Sequence, residues 1–124
     1  MTWFFVAMGG ALGASARYWL YNAHPVLQQK LGLATVVVNV AGSFLMGLVF
    51  MVVTERAGLS PTLRPLVGVG FLGAFTTYST YSLDAWRLLE QGQPVWAVSY
   101  LLGTLVLCIA ATGAGLMVGR ALSG

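Results

Sequence analysis

The chain has 124 residues, of which 58% are hydrophobic and only 7% are charged. Soluble domains carry about 25% charged residues, so this composition predicts an integral membrane protein. The formal net charge of +3 includes no basic run, which argues against nucleic acid as a partner. One cysteine, one histidine and three acidic residues exclude an internal disulfide framework and argue against a metal cluster or a paired-carboxylate enzyme.

Four stretches are apolar and long enough to cross a bilayer, which takes about 20 helical residues. They cover residues 2–21, 33–54, 61–89 and 94–121, with short connections between them. Ala14-Ser15-Ala16 resembles a signal-peptide cleavage site, but no positively charged segment precedes it, so we interpret the first stretch as an uncleaved helix. The sequence therefore predicts an all-α membrane protein, with residues 1–124 forming a single domain of four transmembrane helices.

The distribution of lysine and arginine sets the orientation in which a membrane protein inserts. Across four spans, one side collects Arg56, Arg64 and Arg120, and the other collects Arg17, Lys30 and Arg87. Because this count is a tie, no orientation is favoured. We therefore expect insertion in both orientations and an antiparallel, dual-topology homodimer.

Small and polar residues recur every four positions on three of the helices. In the first helix, Gly9 and Gly13 form a small-xxx-small pair that is typical of helix packing. Polar stripes follow the second and fourth helices, at Thr35, Asn39, Ser43 and Gly47 and at Tyr100, Thr104, Cys108 and Thr112. Two such stripes on neighbouring helices predict a narrow polar path. A dimer is the smallest assembly that we expect to enclose it.

The third stretch contains the block Gly70-Phe71-Leu72-Gly73-Ala74-Phe75-Thr76-Thr77-Tyr78-Ser79-Thr80-Tyr81-Ser82, in which glycines weaken the helix and hydroxyl groups satisfy a freed backbone. The segment from Gly73 to Ser79 lies about 18–27 Å along a helix that begins at Pro61, which is near mid-membrane. We expect the third helix to be broken there. A continuous helix, whose hydroxyls bond to its own carbonyls, is the alternative.

Motifs on three helices carry a resemblance to a known family. The first helix has Gly9-Gly10-Ala11-Leu12-Gly13-Ala14 followed by Arg17-Tyr18, and the second has Thr35 to Asn39 with Gly42-Ser43. Together with the third-helix block, they make the chain resemble the small fluoride channels of the Fluc/CrcB family. The resemblance extends over all four helices in order and length.

The resemblance implies an antiparallel homodimer in the bacterial inner (plasma) membrane, with two pores that let fluoride leave the cell passively. It also implies a structural sodium ion (Na+) at the dimer centre, held by the backbone carbonyls of Gly73 and Thr76 from both subunits. The pore-lining residues that it implies are Asn39, Tyr78, Tyr81, Ser79, Thr80, Thr35, Tyr100 and Thr104, with Arg17 in the vestibule. The family's paired phenylalanines are both tyrosines here, at Tyr78 and Tyr81.

Two other functions compete with the fluoride channel. A small dual-topology multidrug or cation exporter needs a titratable carboxylate within the membrane, whereas Asp84 and Glu90 lie toward a helix end. Asp84 and Arg87, three residues apart, are candidates for an ion pair. A non-transporting membrane subunit would use its polar stripes only for packing. An enzyme is not expected, because no nucleophile–base or metal constellation is present in the sequence.

Overall fold

The computed structural model describes residues 2–25, 31–55 and 64–123. Helix α1 spans Thr2–Tyr21, α2 spans Leu33–Glu55, α3 spans Arg64–Leu72, α4 spans Gly73–Phe75, α5 spans Ser79–Glu90 and α6 spans Pro94–Ser123. Helix α3 has wide, π-type turns. The described residues contain no β-strand, so the all-α prediction is confirmed for them. The predicted start of the third span at Pro61, and the predicted topological positions of Lys30 and Arg56, lie outside the described residues.

Helices α2 and α6 form the main packing pair and run in the same direction. Gly47 packs against the backbone of Thr112, and Gly115 against that of Phe44, so a Cβ at either glycine would overlap a carbonyl oxygen of the other helix. Small residues allow such close backbone approach in membrane bundles. Gly47 and Gly115 are therefore used for packing within the subunit.

Helix α1 packs along α3 and α4 through the predicted glycine pair. A Cβ at Gly9 would overlap the carbonyl oxygen of Leu66, and a Cβ at Gly13 would overlap that of Phe71. Gly10, on another face of α1, has open space around it. The pair thus makes the packing contact that its spacing indicates.

The helical path between α3 and α5 is interrupted at residues 76–78, and α4 and α5 run antiparallel to α2. Thr76, which follows α4, has an extended backbone with φ −81° and ψ 158°. Along α2, Gly42 contacts Thr76, Asn39 contacts Thr77, and Thr35 contacts Asp84. The chain therefore passes the polar face of α2 as it returns toward the start of α6.

Burial differs from that in a soluble domain, because several polar residues join the apolar core while many large apolar side chains are exposed. The buried polar residues include Thr35, Asn39, Thr77 and Asp84, whereas Ile109 and many other large apolar side chains are exposed. Two described helices are long and apolar enough to cross a membrane, Leu33–Val53 in α2 and Pro94–Leu122 in α6. Helix α1, with 20 residues, has the length of a span. Polar groups inside and apolar groups outside suit a bundle surrounded by lipid.

Candidate functional site

The amide side chain of Asn39 pairs with the backbone of Thr77 at the interruption of the helix. Its Nδ2 donates to the carbonyl oxygen of Thr77 at 2.9 Å, and its Oδ1 accepts from the Thr77 N–H at 2.8 Å. Both residues are buried, and 38 positions separate them in the chain. The pair satisfies both backbone groups of one residue where no helical partner serves them, which stabilises a non-helical backbone inside the bundle.

The hydroxyl groups of the same block bind the two helix ends beside the interruption. Thr76 Oγ1 donates to the Leu72 carbonyl at 3.0 Å, and the Thr80 N–H donates to Thr77 Oγ1 at 3.2 Å. Thr77 Oγ1 also lies 3.4 Å from Ser79 Oγ. Thr77 therefore closes the first turn of α5 with its side chain while its backbone is held by α2.

A groove of about 320 Å³ lies between α2, α6 and the interruption. Its polar wall comes from both predicted stripes and from the third-helix block, and includes Asn39, Ser43, Thr76, Thr77, Tyr78, Tyr81, Thr104, Cys108 and Thr112. The parallel direction of α2 and α6 keeps the two stripes in register. Ser79 and Thr80 stand at the start of α5 and are not among the groove's lining residues.

A buried carboxyl group connects four elements at the other end of the α2 stripe. Thr35 Oγ1 donates to Asp84 Oδ2 at 2.7 Å, and the Tyr100 hydroxyl donates to the same oxygen at 3.2 Å. Tyr21 Oη lies 2.6 Å from Thr35 Oγ1. Because Thr35 has one hydroxyl proton and gives it to Asp84, Tyr21 is the donor in that bond. Asp84 therefore acts as the acceptor at the centre of this cluster.

The two tyrosines of the aromatic pair have different surroundings. Tyr81 donates its hydroxyl to the carbonyl of Leu101 on α6, and its ring lies 5.3 Å from that of Tyr100. Tyr78 meets Tyr81 edge-on at 5.7 Å and is 79% exposed. Tyr81 is thus fixed to α6, whereas Tyr78 extends from the subunit.

Arg17 belongs to a second cavity, of about 500 Å³, near the end of α1. Tyr21, Thr35, Asp84 and Arg87 also line this cavity. The Nε of Arg17 is buried and has no hydrogen-bond partner among the described residues. Two guanidinium groups and one carboxyl group line this cavity, and the excess of guanidinium groups favours an anionic or strongly polar occupant.

A family model described as "CrcB-like protein, Camphor Resistance (CrcB)" matches residues 4–116 of the chain. The chain belongs to the CrcB family. Among its relatives, the "Fluoride-specific ion channel FluC" of Saccharophagus degradans is 48% identical over 88% of this chain and 82% of its own length. Proteins of the same name from Hahella chejuensis and Magnetococcus marinus are 44% and 47% identical, over 92% and 94% of their own lengths.

The CrcB fold divides the sequence-predicted site residues into three places. Asn39, Tyr78, Tyr81 and Thr104 meet at the groove, Thr35 and Tyr100 bind Asp84, and Arg17 lines the second cavity. Gly73 and Thr76 lie directly before the pairing with Asn39. The sequence-predicted residues therefore lie at separate places in the subunit, and their roles in conduction and sodium binding stay predictions.

Two residues of this CrcB protein matter more than sequence reasoning suggested. Thr77 forms the pair with Asn39, and Asp84 accepts from Thr35 and Tyr100 rather than serving only as a candidate partner of Arg87. A signal for Asp84 was present, because an acidic residue within a membrane stretch is energetically unfavourable unless it has partners or a function. The sequence held no signal that singled out Thr77, because its neighbours have the same hydroxyl groups.

Proposed function

We propose that this chain forms a fluoride-selective channel through which fluoride leaves the cytoplasm passively. The observation that carries the proposal is the groove lined by the polar residues Asn39 and Thr77, within a chain whose CrcB relatives are named fluoride-specific ion channels. The groove and the Arg17 cavity both contact α2, at Asn39 and at Thr35, and we propose that they are two parts of one route for the ion. The activity is transport, so the chain needs no catalytic residue.

The neutral donors of the route suit a small, strongly hydrated anion. A selective path must replace water around the ion and still release it, which neutral amide, hydroxyl and aromatic-edge groups do better than a fixed charge in mid-path. Asn39, Thr104, Tyr78 and Tyr81 offer such groups in the groove. We assign Ser79 and Thr80 to the part of the route completed in the assembled dimer.

The proposed assembly is an antiparallel homodimer with two pores, multi-pass in the bacterial inner membrane. Its support is the tie in the sequence between Arg17, Lys30 and Arg87 on one side and Arg56, Arg64 and Arg120 on the other. The exposed apolar surface of α6 includes Leu102, Val106 and Ile109 and suits lipid or a second subunit. The interruption at residues 76–78 then lies near mid-membrane.

The proposed structural ion is Na+, bound by the carbonyls of Gly73 and Thr76 from both subunits. In an α-helix the Thr77 N–H would bond to the Gly73 carbonyl and the Thr80 N–H to the Thr76 carbonyl. Both amides donate elsewhere, to Asn39 Oδ1 and to Thr77 Oγ1. The donor set therefore fits a hard cation, which prefers oxygen ligands, and Na+ would hold the two interruptions together at the dimer centre.

Ion efflux from liposomes containing the purified protein tests the proposal. We expect rapid release recorded by a fluoride electrode and no release recorded by a chloride electrode in a parallel run. Protein-free liposomes and liposomes with heat-denatured protein are the controls. Absence of fluoride release from protein that is shown to be dimeric would overturn the proposed function, and equal release of chloride would overturn the selectivity.

Forced orientation tests the antiparallel assembly. Gln91→Lys with Gln93→Lys adds positive charge to one end, and Thr2→Lys with Ala121→Lys adds it to the other, all at exposed positions. Each double variant alone is expected to lose fluoride efflux, and co-expression of the two is expected to restore it. Full efflux from either variant alone, inserted in a single orientation, would contradict the antiparallel dimer.

A further inference from the structure

Asn39 is the α2 residue that contacts the backbone of the interruption with both ends of its amide. The two bonds to Thr77, at 2.9 Å and 2.8 Å, occupy its Oδ1 and one hydrogen of its Nδ2. Only the second Nδ2 hydrogen is then available to the groove. The geometry is that of a brace between α2 and the interrupted segment.

This brace determines which hydrogen bonds the segment can make. Without Oδ1 of Asn39, the buried Thr77 N–H would lack its acceptor, and a buried donor without an acceptor is unfavourable. The helical acceptor for that N–H is the Gly73 carbonyl, one turn earlier. Loss of the brace therefore favours closure of the helix onto that carbonyl.

We propose that Asn39 is a positioning residue for the sodium ion, because it holds the Thr77 N–H away from the Gly73 carbonyl and leaves that oxygen free for the ion. The Thr77 hydroxyl has the same role for the Thr76 carbonyl, since it takes the Thr80 N–H at 3.2 Å. The inference rests on the proposed function and assigns Asn39 a second task besides lining the groove. It makes ion conduction and cation binding depend on one amide.

The test is sodium-dependent thermal stability of the detergent-purified dimer, measured in NaCl and in N-methyl-D-glucamine chloride at equal ionic strength. The wild-type protein is expected to melt at a higher temperature in NaCl. Asn39→Ala is expected to lose this sodium-dependent increment, with apparent sodium affinity lower by at least tenfold. Thr77→Val, which keeps the side-chain shape, is expected to reduce the increment through the second carbonyl.

Ser43→Ala is the matched control, because Ser43 is the next residue of the same stripe and lines the same groove. Its sodium-dependent increment is expected to equal that of the wild type. A purely structural role for Asn39 would lower the melting temperature equally in both salts, and an unchanged increment in Asn39→Ala would overturn the inference. Lack of any increment in the wild type would overturn it too.

Two further measurements distinguish the possible causes of a negative result. If the wild type shows no fluoride efflux, the proposed function fails, whereas efflux together with an unchanged increment in Asn39→Ala overturns only the present inference. If Asn39→Ala does not fold, hydrogen exchange at the Thr77 amide of the wild type decides. Strong protection supports the brace, and exchange at the rate of an exposed amide overturns it.

Discussion

Thr35 on α2 donates its hydroxyl to Oδ2 of Asp84 on α5 at 2.7 Å, across 49 positions of the chain. The bond fixes the returning segment to the start of α2, and Tyr100 adds a second donor from α6. A buried carboxyl group with two hydroxyl donors connects three helices at one point. This contact positions the cavity that contains Arg17 relative to the groove at Asn39.

Thr35→Val is expected to destabilise the protein, because it removes a donor from a buried carboxyl group and keeps the side-chain shape. Removing one partner of a buried polar group is unfavourable by about 1–3 kcal/mol, so we expect a loss within that range. Chemical unfolding in mixed detergent measures it. Thr112→Val is the control, since Thr112 Oγ1 donates only locally, to the Cys108 carbonyl. Equal losses in the two variants would contradict a special role for the Asp84 contact.

Tyr81→Phe is expected to lower the free energy of unfolding by about 0.5–1.5 kcal/mol, the net contribution of a hydrogen bond. The bond in question is the one from the Tyr81 hydroxyl to the Leu101 carbonyl. Tyr78→Phe is the paired variant, and because Tyr78 is 79% exposed we expect a change within about 0.5 kcal/mol. Thermal melting of each purified variant checks the difference. The expectation fails if Tyr78→Phe is the more destabilised of the two.

Gly13→Ala is expected to disrupt packing of α1 on α3, because the added methyl group would overlap the carbonyl of Phe71. Overpacking of this kind is unfavourable by about 1–3 kcal/mol. Gly10→Ala places the same group in open space on the same helix and is expected to be neutral or stabilising, by up to about 1 kcal/mol from helix propensity. Yield of monodisperse protein and melting temperature are the measurements. A similar loss of stability in both variants would contradict the packing explanation, because a methyl group at Gly10 meets no neighbouring atom.

Cys108, the one cysteine of the chain, lines the groove, so its reactivity tests whether water enters the groove. A charged, membrane-impermeant thiol reagent is expected to label it in liposomes to about one group per chain, and to slow fluoride efflux. The comparison is Ile109→Cys in a Cys108→Ser background, because Ile109 is 65% exposed on the apolar side of α6. That cysteine should stay unlabelled in lipid. Labelling at position 109 but not at position 108 would mean that water reaches the apolar side of α6 and not the groove, and it would contradict the prediction.

The sequence anticipated much of this structure because the relevant signals are local. Helices α1, α2 and α6 lie within one or two residues of the predicted ends at 2–21, 33–54 and 94–121. The third span was predicted as residues 61–89 with an interruption between Gly73 and Ser79. Residues 76–78 are non-helical among the described residues of this span, and a break of the helix at mid-membrane stays a prediction. Glycine, threonine and serine in one short block carry that information, since they weaken a helix and satisfy a freed backbone.

The sequence by itself determined that the chain is a membrane protein, where its helices lie, and where the polar stripes and the Gly9–Gly13 pair fall. The length of an apolar stretch and a four-residue spacing can be read without knowing which helices are neighbours. Only the tertiary structure decided which polar groups are partners. Asn39 meets Thr77, and Asp84 meets Thr35 and Tyr100, because α2 and α6 run in parallel while the segment between them returns antiparallel to α2. A side chain buried in an apolar bundle takes the hydrogen-bond partner that packing brings within reach, and that geometry follows from the assembled helices.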